Sequence, residues 1–214
     1  MRAGSAAAVF AVAAVCVCGD RASAHRRDEL LQAARVAVER NRVELELDLT
    51  PGIAVADAVI ADIDRDRDGS LSADERDGYA ARVMRAIDLS LDGGALDVRL
   101  LSAAFPEADA FRRGEGTIRL RSAVVLPRVA DGDHRLAFRN GYRRDVSAYL
   151  ANALAPQSDR IGIVAQRRDA EQRELTIEYV ARGGAPPSLW LLGGIAGVVL
   201  AFAALRTKPK EDER

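Results

Sequence analysis

Apolar and polar residues alternate along much of the chain, and the clearest case is the stretch "ARVAVERNRVELELDL". The alternation runs on both sides of Arg40-Asn41, and a period of two is typical of strands with one buried face. The stretch therefore predicts a β-hairpin. Its second strand would bury one set of side chains and expose the set between them: Val43, Leu45, Leu47 and Leu49 inward, and Glu44, Glu46 and Asp48 outward.

A second hairpin is predicted in "LSLDGGALDVRLL", with its turn at Asp92-Gly93-Gly94. Leu89 and Leu91 would precede the turn, and Leu96, Val98 and Leu100 would follow it. Four later segments have the same character and are bounded by Gly, Pro, Asp or Asn: "GTIRLRSAVVL", "HRLAFRN", "IGIVAQRR" and "RELTIEYVA". Short strands punctuated in this way predict a mainly β fold, an antiparallel β-sandwich whose strand order the pattern leaves open.

Two helical segments interrupt the strands. Apolar residues from Ala54 to Ile63 have helix-compatible spacing, and the stretch from Ser72 to Ile87 is the stronger helix signal. Ser72 and Glu75 have the spacing of a capping box. Tyr79, Val83 and Ile87, four residues apart, predict one apolar stripe that faces the sheet.

The stretch between the helices, "DIDRDRDGSLSADE", has the ligand spacing of a calcium loop. Counted from Asp64, it matches the pattern D-x-[DN]-x-[DN]-G-x5-E, with Gly69 at the sharp turn and Leu71 packing inward. A hard divalent cation takes six to eight oxygen ligands, which carboxylates on alternate loop residues can supply. The candidate calcium ligands are Asp64, Asp66, Asp68, Ser70 through its backbone carbonyl, Ser72, and Glu75 through both carboxylate oxygens.

On these residues the chain resembles the EF-hand calcium-binding family, from about residue 54 to 87. The alternative, an acidic turn before a capped helix, leaves the offsets of Gly69 and Glu75 unexplained. The sequence contains one such loop, whereas EF-hands usually work in pairs, so the sheet or a second chain must brace it. We expect weak binding, about 10⁻⁴ to 10⁻³ M as in extracellular modules, with Arg65 and Arg67 partly offsetting the loop's charge.

The two ends of the chain predict export and membrane anchoring. A basic Arg2, a short apolar run and "ASA" at 22–24 predict a signal peptide over residues 1–24, which holds both cysteines. Lipoprotein processing at one of them is the alternative, although valine precedes each. Residues 188–205 carry no charge and predict one transmembrane helix, in which Trp190 has the position of an interfacial aromatic. The basic residues of a cytoplasmic tail at 206–214 follow it directly. The domain at 25–187 would then be extracytoplasmic, periplasmic or at the cell surface.

Charge and residue types narrow the function. The 214-residue chain has a net charge of −1, which argues against a nucleic-acid partner. The predicted mature domain has no cysteine, and its histidines, His25 and His134, are the only bases available to a nucleophilic triad. We therefore expect a non-enzyme. His25 at a mature N-terminus, together with His134, could instead form a transition-metal site suited to copper.

The order of motifs suggests a wider resemblance. A mature start at His25, a hairpin, "DRDRDG", "LSLDG" and a late "HRLAFRN" are similar to the extracytoplasmic domain of HupE/UreJ-like membrane proteins. That family implies nickel or cobalt uptake through several membrane spans, but one span is predicted here, so transport does not carry over. Two functions follow: a membrane-anchored calcium-binding protein with a structural or interaction role, or an accessory to nickel, cobalt or copper uptake that partners a metal permease.

Overall fold

Ten β-strands and three short α-helices make up the part of the chain that the computed structural model describes, residues 28–126 and 129–183. In chain order these are β1 Leu30–Val38, β2 Arg42–Pro51, a 3-10 turn at Ile53–Val55, α1 Ala56–Ile63, α2 Ala73–Met84, β3 Ile87–Leu91, β4 Gly94–Ala95, β5 Arg99–Ala104, α3 Ala108–Arg112, β6 Ile118–Val125, β7 Gly132–Asn140, β8 Ser147–Ala153, β9 Ile161–Arg168 and β10 Glu174–Ala181.

The segments predicted as signal peptide, transmembrane helix and cytoplasmic tail lie outside the described residues, and so does His25. Within 28–126 and 129–183, none of the helices has the length and apolar character needed to cross a membrane.

The strands form two five-stranded sheets, with the order β5-β6-β2-β1-β8 in the first and β4-β3-β7-β10-β9 in the second. All the paired strands are antiparallel except β1 and β8, which run parallel. The prediction of a mainly β fold is therefore confirmed. The β1–β2 hairpin has the predicted face: Val43, Leu45, Leu47 and Leu49 are each at most 2% exposed.

The second predicted hairpin is only partly present. The chain turns after Leu91, but the returning strand β4 is two residues long, and the following strand β5 pairs with β6 in the other sheet. Leu96 and Val98 still pack against the core, whereas Leu100 is 36% exposed on an edge strand. The physical reason is that alternation determines which side of a strand faces inward but does not determine which strand it pairs with.

Two elements were not predicted. Strand β8 buries one residue, Ala151, so it lacks the period of two that marks a half-buried strand. Helix α3 is only five residues long and is anchored by Phe111, which is fully buried. Gly116 lies so close to it that an added Cβ would fall 2.6 Å from the Phe111 ring. The predicted stripe on α2 also needs correction, because Ile87 is buried as the first residue of β3 and not as part of the helix.

Both sheets contribute to one hydrophobic core, and a buried polar network crosses it. Gln32 on β1 is 1% exposed, and its amide nitrogen donates to the Tyr142 carbonyl at 2.9 Å and to the Ser147 hydroxyl at 2.7 Å. Its amide oxygen accepts from Asn140 of β7 at 2.8 Å. Because each polar group of this network has a partner, the network links the two sheets without leaving a buried group unsatisfied.

Candidate metal centre

The polar part of the loop at residues 64–75 lies between two buried apolar residues, Ile63 before it and Leu71 within it. Ile63 is the last residue of α1 and is fully buried, and the next amide, that of Asp64, donates to the Ile60 carbonyl at 2.8 Å. Leu71 is 6% exposed and belongs to the hydrophobic core, as predicted. Tyr79 and the rest of the buried face of α2 follow. The polar residues 64–70 are therefore held between two buried apolar side chains, those of Ile63 and Leu71.

Three aspartates converge inside the loop. One oxygen from each of Asp64, Asp66 and Asp68 lies within 4.8 Å of the others. The loop itself orients these carboxylates. Asp64 Oδ2 accepts from the Gly69 amide at 3.0 Å, Asp66 Oδ1 accepts from the Asp68 amide at 3.1 Å, and Asp68 Oδ1 accepts from the Ser70 amide at 2.8 Å and its hydroxyl at 2.7 Å.

Each aspartate therefore uses one oxygen in the loop and has a second oxygen left. For Asp64 this second atom is informative, because the residue is 6% exposed and Oδ1 is buried with no hydrogen-bond partner among the described residues. A buried acceptor without a partner costs free energy, about 1–3 kcal/mol and more when it is charged. A cation bound between the three carboxylates would remove that cost.

The loop backbone adopts the left-handed conformation twice. Gly69 has φ = +86°, which glycine adopts without a steric penalty and which explains the glycine at the turn. Arg67 has φ = +61°, where a residue with a Cβ is strained. The three amides that follow Arg67 in the chain, those of residues 68–70, each donate to an aspartate of the loop, so the strained conformation at Arg67 accompanies the arrangement of the carboxylates.

Glu75 has a different role in this structure. With Ser72 it forms the predicted capping box at the start of α2. Its Oε2 accepts from the Ser72 amide at 3.0 Å and hydroxyl at 2.8 Å, and its Oε1 accepts from the Arg65 amide at 2.5 Å and the Asp66 amide at 3.3 Å. These bonds, those from Ser72 above all, lower the pKa of Glu75 to about 2. Glu75 does not join the three converging aspartates. To bind an ion with both oxygens, it would exchange these bonds for the metal.

Asp62 lies within α1, as predicted. Its carboxylate is paired with Arg143 in the turn between β7 and β8, and its carbonyl accepts from Arg82 of α2 at 2.5 Å. The Arg82 guanidinium also lies 5.5 Å from the centre of the Tyr79 ring. Arg143 therefore neutralises the Asp62 carboxylate, and Arg82 holds the Asp62 backbone two residues before the loop begins.

Both ring nitrogens of His134 already have partners within the domain. Its Nδ1 lies 2.7 Å from Asp92 Oδ2 and its Nε2 lies 3.0 Å from the Ala130 carbonyl, so both ring nitrogens face acceptors. Asp92 raises the pKa of His134, and His134 in turn lowers the pKa of Asp92. Asp92 Oδ1 also accepts from the Arg135 amide at 2.8 Å, so the pair fastens the turn after β3 onto β7.

Asp92 as the partner of His134 was missed at the level of sequence, where only its place in a Gly-rich turn was visible. Since His25 lies outside the described residues, the transition-metal site stays a prediction.

Comparison with known families finds none whose model matches this chain, and a search of curated proteins finds no match. The EF-hand and HupE/UreJ resemblances therefore stay predictions, and the chemistry of the loop rests on its own geometry.

Proposed function

We propose that this chain is a non-enzymatic calcium-binding protein whose extracytoplasmic domain is anchored in a membrane by residues 188–205. In this proposal its two sheets pack as an antiparallel β-sandwich, and residues 54–87 form one EF-hand inserted between β2 and β3. The observation that carries the proposal is the buried Asp64 Oδ1, which has no hydrogen-bond partner within residues 28–126 and 129–183 and lies in a group of three convergent carboxylates.

The donor set selects the kind of metal. Asp64, Asp66 and Asp68 offer oxygen ligands only, and the neighbouring Ser70 carbonyl and Ser72 hydroxyl would add two more. Glu75 would add both carboxylate oxygens on exchanging its present hydrogen bonds for the metal, which brings the set to seven oxygens. Oxygen donors suit hard cations such as Ca²⁺ and Mg²⁺, whereas zinc and copper favour imidazole or thiolate ligands. Six or more oxygens on a flexible loop favour Ca²⁺, because Mg²⁺ requires near-ideal octahedral geometry. The ion supplies positive charge that lets the carboxylates approach one another.

A structural role follows from where the loop sits. Without an ion, three carboxylates within 4.8 Å of one another repel at the junction of α1 and α2. The flanking Ile63 and Leu71 belong to the core, so strain in the loop reaches the packing of the domain. Weak affinity of about 10⁻⁴ to 10⁻³ M suffices for this role wherever calcium is abundant.

The test is the melting temperature of the full-length protein with calcium and with chelator. At 5 mM calcium and the expected affinity, bound ion should stabilise the native state by about 1–2 kcal/mol, a shift of several degrees for a domain of this size. Magnesium at the same concentration should produce a smaller shift. An identical melting curve with calcium and with chelator would refute the proposal.

Two variants separate ion binding from general electrostatics. Asp64→Asn removes the convergent carboxylate at the loop position where the pattern admits only aspartate, and should abolish most of the calcium-dependent shift. Asp74→Asn removes the same charge from an exposed position on the first turn of α2, and should retain the shift. Equal responses of the two variants would show that calcium acts on the surface charge and not at the loop.

Membrane anchoring has its own test. The full-length protein should stay with the membrane fraction after alkaline carbonate extraction, whereas a variant lacking residues 188–205 should be released. Protease added from outside should reach the domain and leave the tail at 206–214 protected. Release of the intact protein by carbonate would contradict the anchor and leave the calcium site to be judged on its own experiment.

A further inference from the structure

A cleft between two turns of the domain offers a second binding site. One wall is formed by the β7–β8 turn, residues 141–146, and the start of β8. The other wall is formed by the β9–β10 turn, residues 169–173. Its volume is about 440 Å³, which is enough for a small organic or inorganic ligand. Arg144 and Ser147 line one side, and Glu171 and Arg173 line the other.

The two arginines in this cleft are in different states. Arg173 is 19% exposed and is held by Asp169 at 3.4 Å and Glu174 at 3.5 Å. These contacts use Nε and Nη2 and are long, so other N–H groups of the same guanidinium remain available. The side chain of Arg144 is exposed and contacts no acceptor within residues 28–126 and 129–183. The cleft thus has one restrained and one uncommitted guanidinium.

The wall between the arginines is preorganised by the core. The Ser147 hydroxyl accepts from Gln32 at 2.7 Å, and the Tyr149 hydroxyl donates to the Tyr142 carbonyl at 2.7 Å. Both side chains are therefore ordered in the absence of ligand. Binding then loses less side-chain conformational entropy.

The charges of Arg144 and Arg173 act on Tyr149 in this wall. Burial raises the pKa of the Tyr149 phenol, whereas the Ser147 hydrogen bond and then the charges of Arg173 and Arg144 act in the opposite direction. An anionic group placed against Tyr149 would feel the same two charges as attraction. Two carboxylates oppose them: Glu171, the one acidic residue of the cleft lining, and Asp145, whose charge raises the pKa of Tyr149.

We propose that this cleft binds a small oxyanion, a carboxylate or a tetrahedral oxyanion such as phosphate, between the guanidinium groups of Arg144 and Arg173. Guanidinium N–H groups pair with such oxyanions in a fork geometry that provides charge and direction together. None of the residues that line the cleft belongs to the calcium loop, so its test is run without calcium.

The experiment is a titration of the ¹⁵N-labelled full-length protein with sulfate, and separately with acetate, followed by amide chemical shifts. Chloride at matched ionic strength is the reference. We expect saturable shifts at Ser147, Ala148 and Ala170 around the cleft. Sulfate binding more tightly than acetate would assign the site to tetrahedral oxyanions, and the reverse order would assign it to carboxylates.

Three variants are expected to weaken, strengthen and leave unchanged the affinity for the anion. Arg144→Gln should weaken binding about five- to tenfold, because it removes a charge-assisted contact. Glu171→Gln should strengthen it about two- to threefold by removing repulsion. Arg160→Gln deletes an equal charge at the opposite end of β9 and should leave the affinity unchanged.

The proposal is overturned by shifts that fail to saturate or that scatter beyond the cleft. It is also overturned if Arg144→Gln and Arg160→Gln weaken binding equally, because the anion would then respond only to net charge.

Discussion

Arg67 has a strained backbone conformation, which lowers stability, and a positive charge, which weakens cation binding. Substitutions can separate the two effects. It holds φ = +61°, and its exposed positive charge lies in a loop built to attract a cation. Replacing it with alanine removes the charge and leaves a Cβ in the left-handed region. Replacing it with glycine removes the charge and the strain together. The difference between the two variants therefore measures the backbone term alone.

The magnitude follows from two opposing effects. A residue with a Cβ in the left-handed region costs about 1–2 kcal/mol. Glycine gives back about 0.4–1 kcal/mol, because its unfolded chain is more flexible. Arg67→Gly should therefore be more stable than Arg67→Ala by about 0.5–1 kcal/mol in the absence of metal. Both variants should bind calcium more tightly than the native protein, by about two- to fivefold, because one repulsive charge is gone.

Arg65 provides the matched control, since it is also exposed, lies two residues away in the same loop and has no positive φ. There the comparison should change sign, with Arg65→Gly less stable than Arg65→Ala by about 0.4–1 kcal/mol. Urea unfolding of the metal-free full-length protein measures the stability differences, and calorimetric titration measures calcium affinity. If glycine is no better than alanine at position 67, or if both positions respond alike, the strain assigned to the loop does not exist.

Three further predictions concern the rest of the domain. Gln32→Leu leaves the Asn140 amide group buried without its acceptor and should lower the free energy of unfolding by about 2–3 kcal/mol, measured by urea denaturation; no loss would contradict the role of the network. Tyr179→Phe should leave that free energy unchanged or raise it by up to about 1 kcal/mol, since the buried hydroxyl has no partner among the described residues, and a clear loss in the same assay would reveal one. The folded-state pKa of His134 is raised, so its pairing with Asp92 stabilises the protein fully below the pKa of an unfolded histidine, and this stability is lost as pH rises through the folded pKa. Melting temperature should therefore fall from pH 6 toward pH 9, and His134→Gln should flatten the slope; an unchanged slope would refute the assignment.

Local patterns predicted the parts of the fold that depend on local chemistry. The β1–β2 hairpin followed from strict alternation on both sides of a short turn. The capping box followed from Ser72 and Glu75 three residues apart, and the buried Leu71 from its place in the loop. In each case the residues that determine the structure are close together in the sequence.

The remainder depended on contacts that no local pattern contains. Leu100 lies on an edge strand because β5 pairs with β6, which is a choice between sheets. Strand β8 is defined by its parallel pairing with β1, more than a hundred residues earlier in the chain, and its own residues show little alternation. Glu75 could be assigned either to a metal or to a helix cap, and its spacing serves both equally.

A single loop of this kind needs a brace, and the domain supplies one from its own chain. The Tyr142 ring packs edge-on against Tyr79 of α2, with centroids 5.9 Å apart, and the next residue, Arg143, pairs with Asp62 at the end of α1. The Tyr142 carbonyl accepts from Gln32 in the buried network between the sheets. The helix pair, the β7–β8 turn and the core network thus form one connected set of contacts. Because of this connection, repulsion in a metal-free loop should lower the stability of the whole domain instead of loosening the loop alone, so global melting is the appropriate measure of calcium binding.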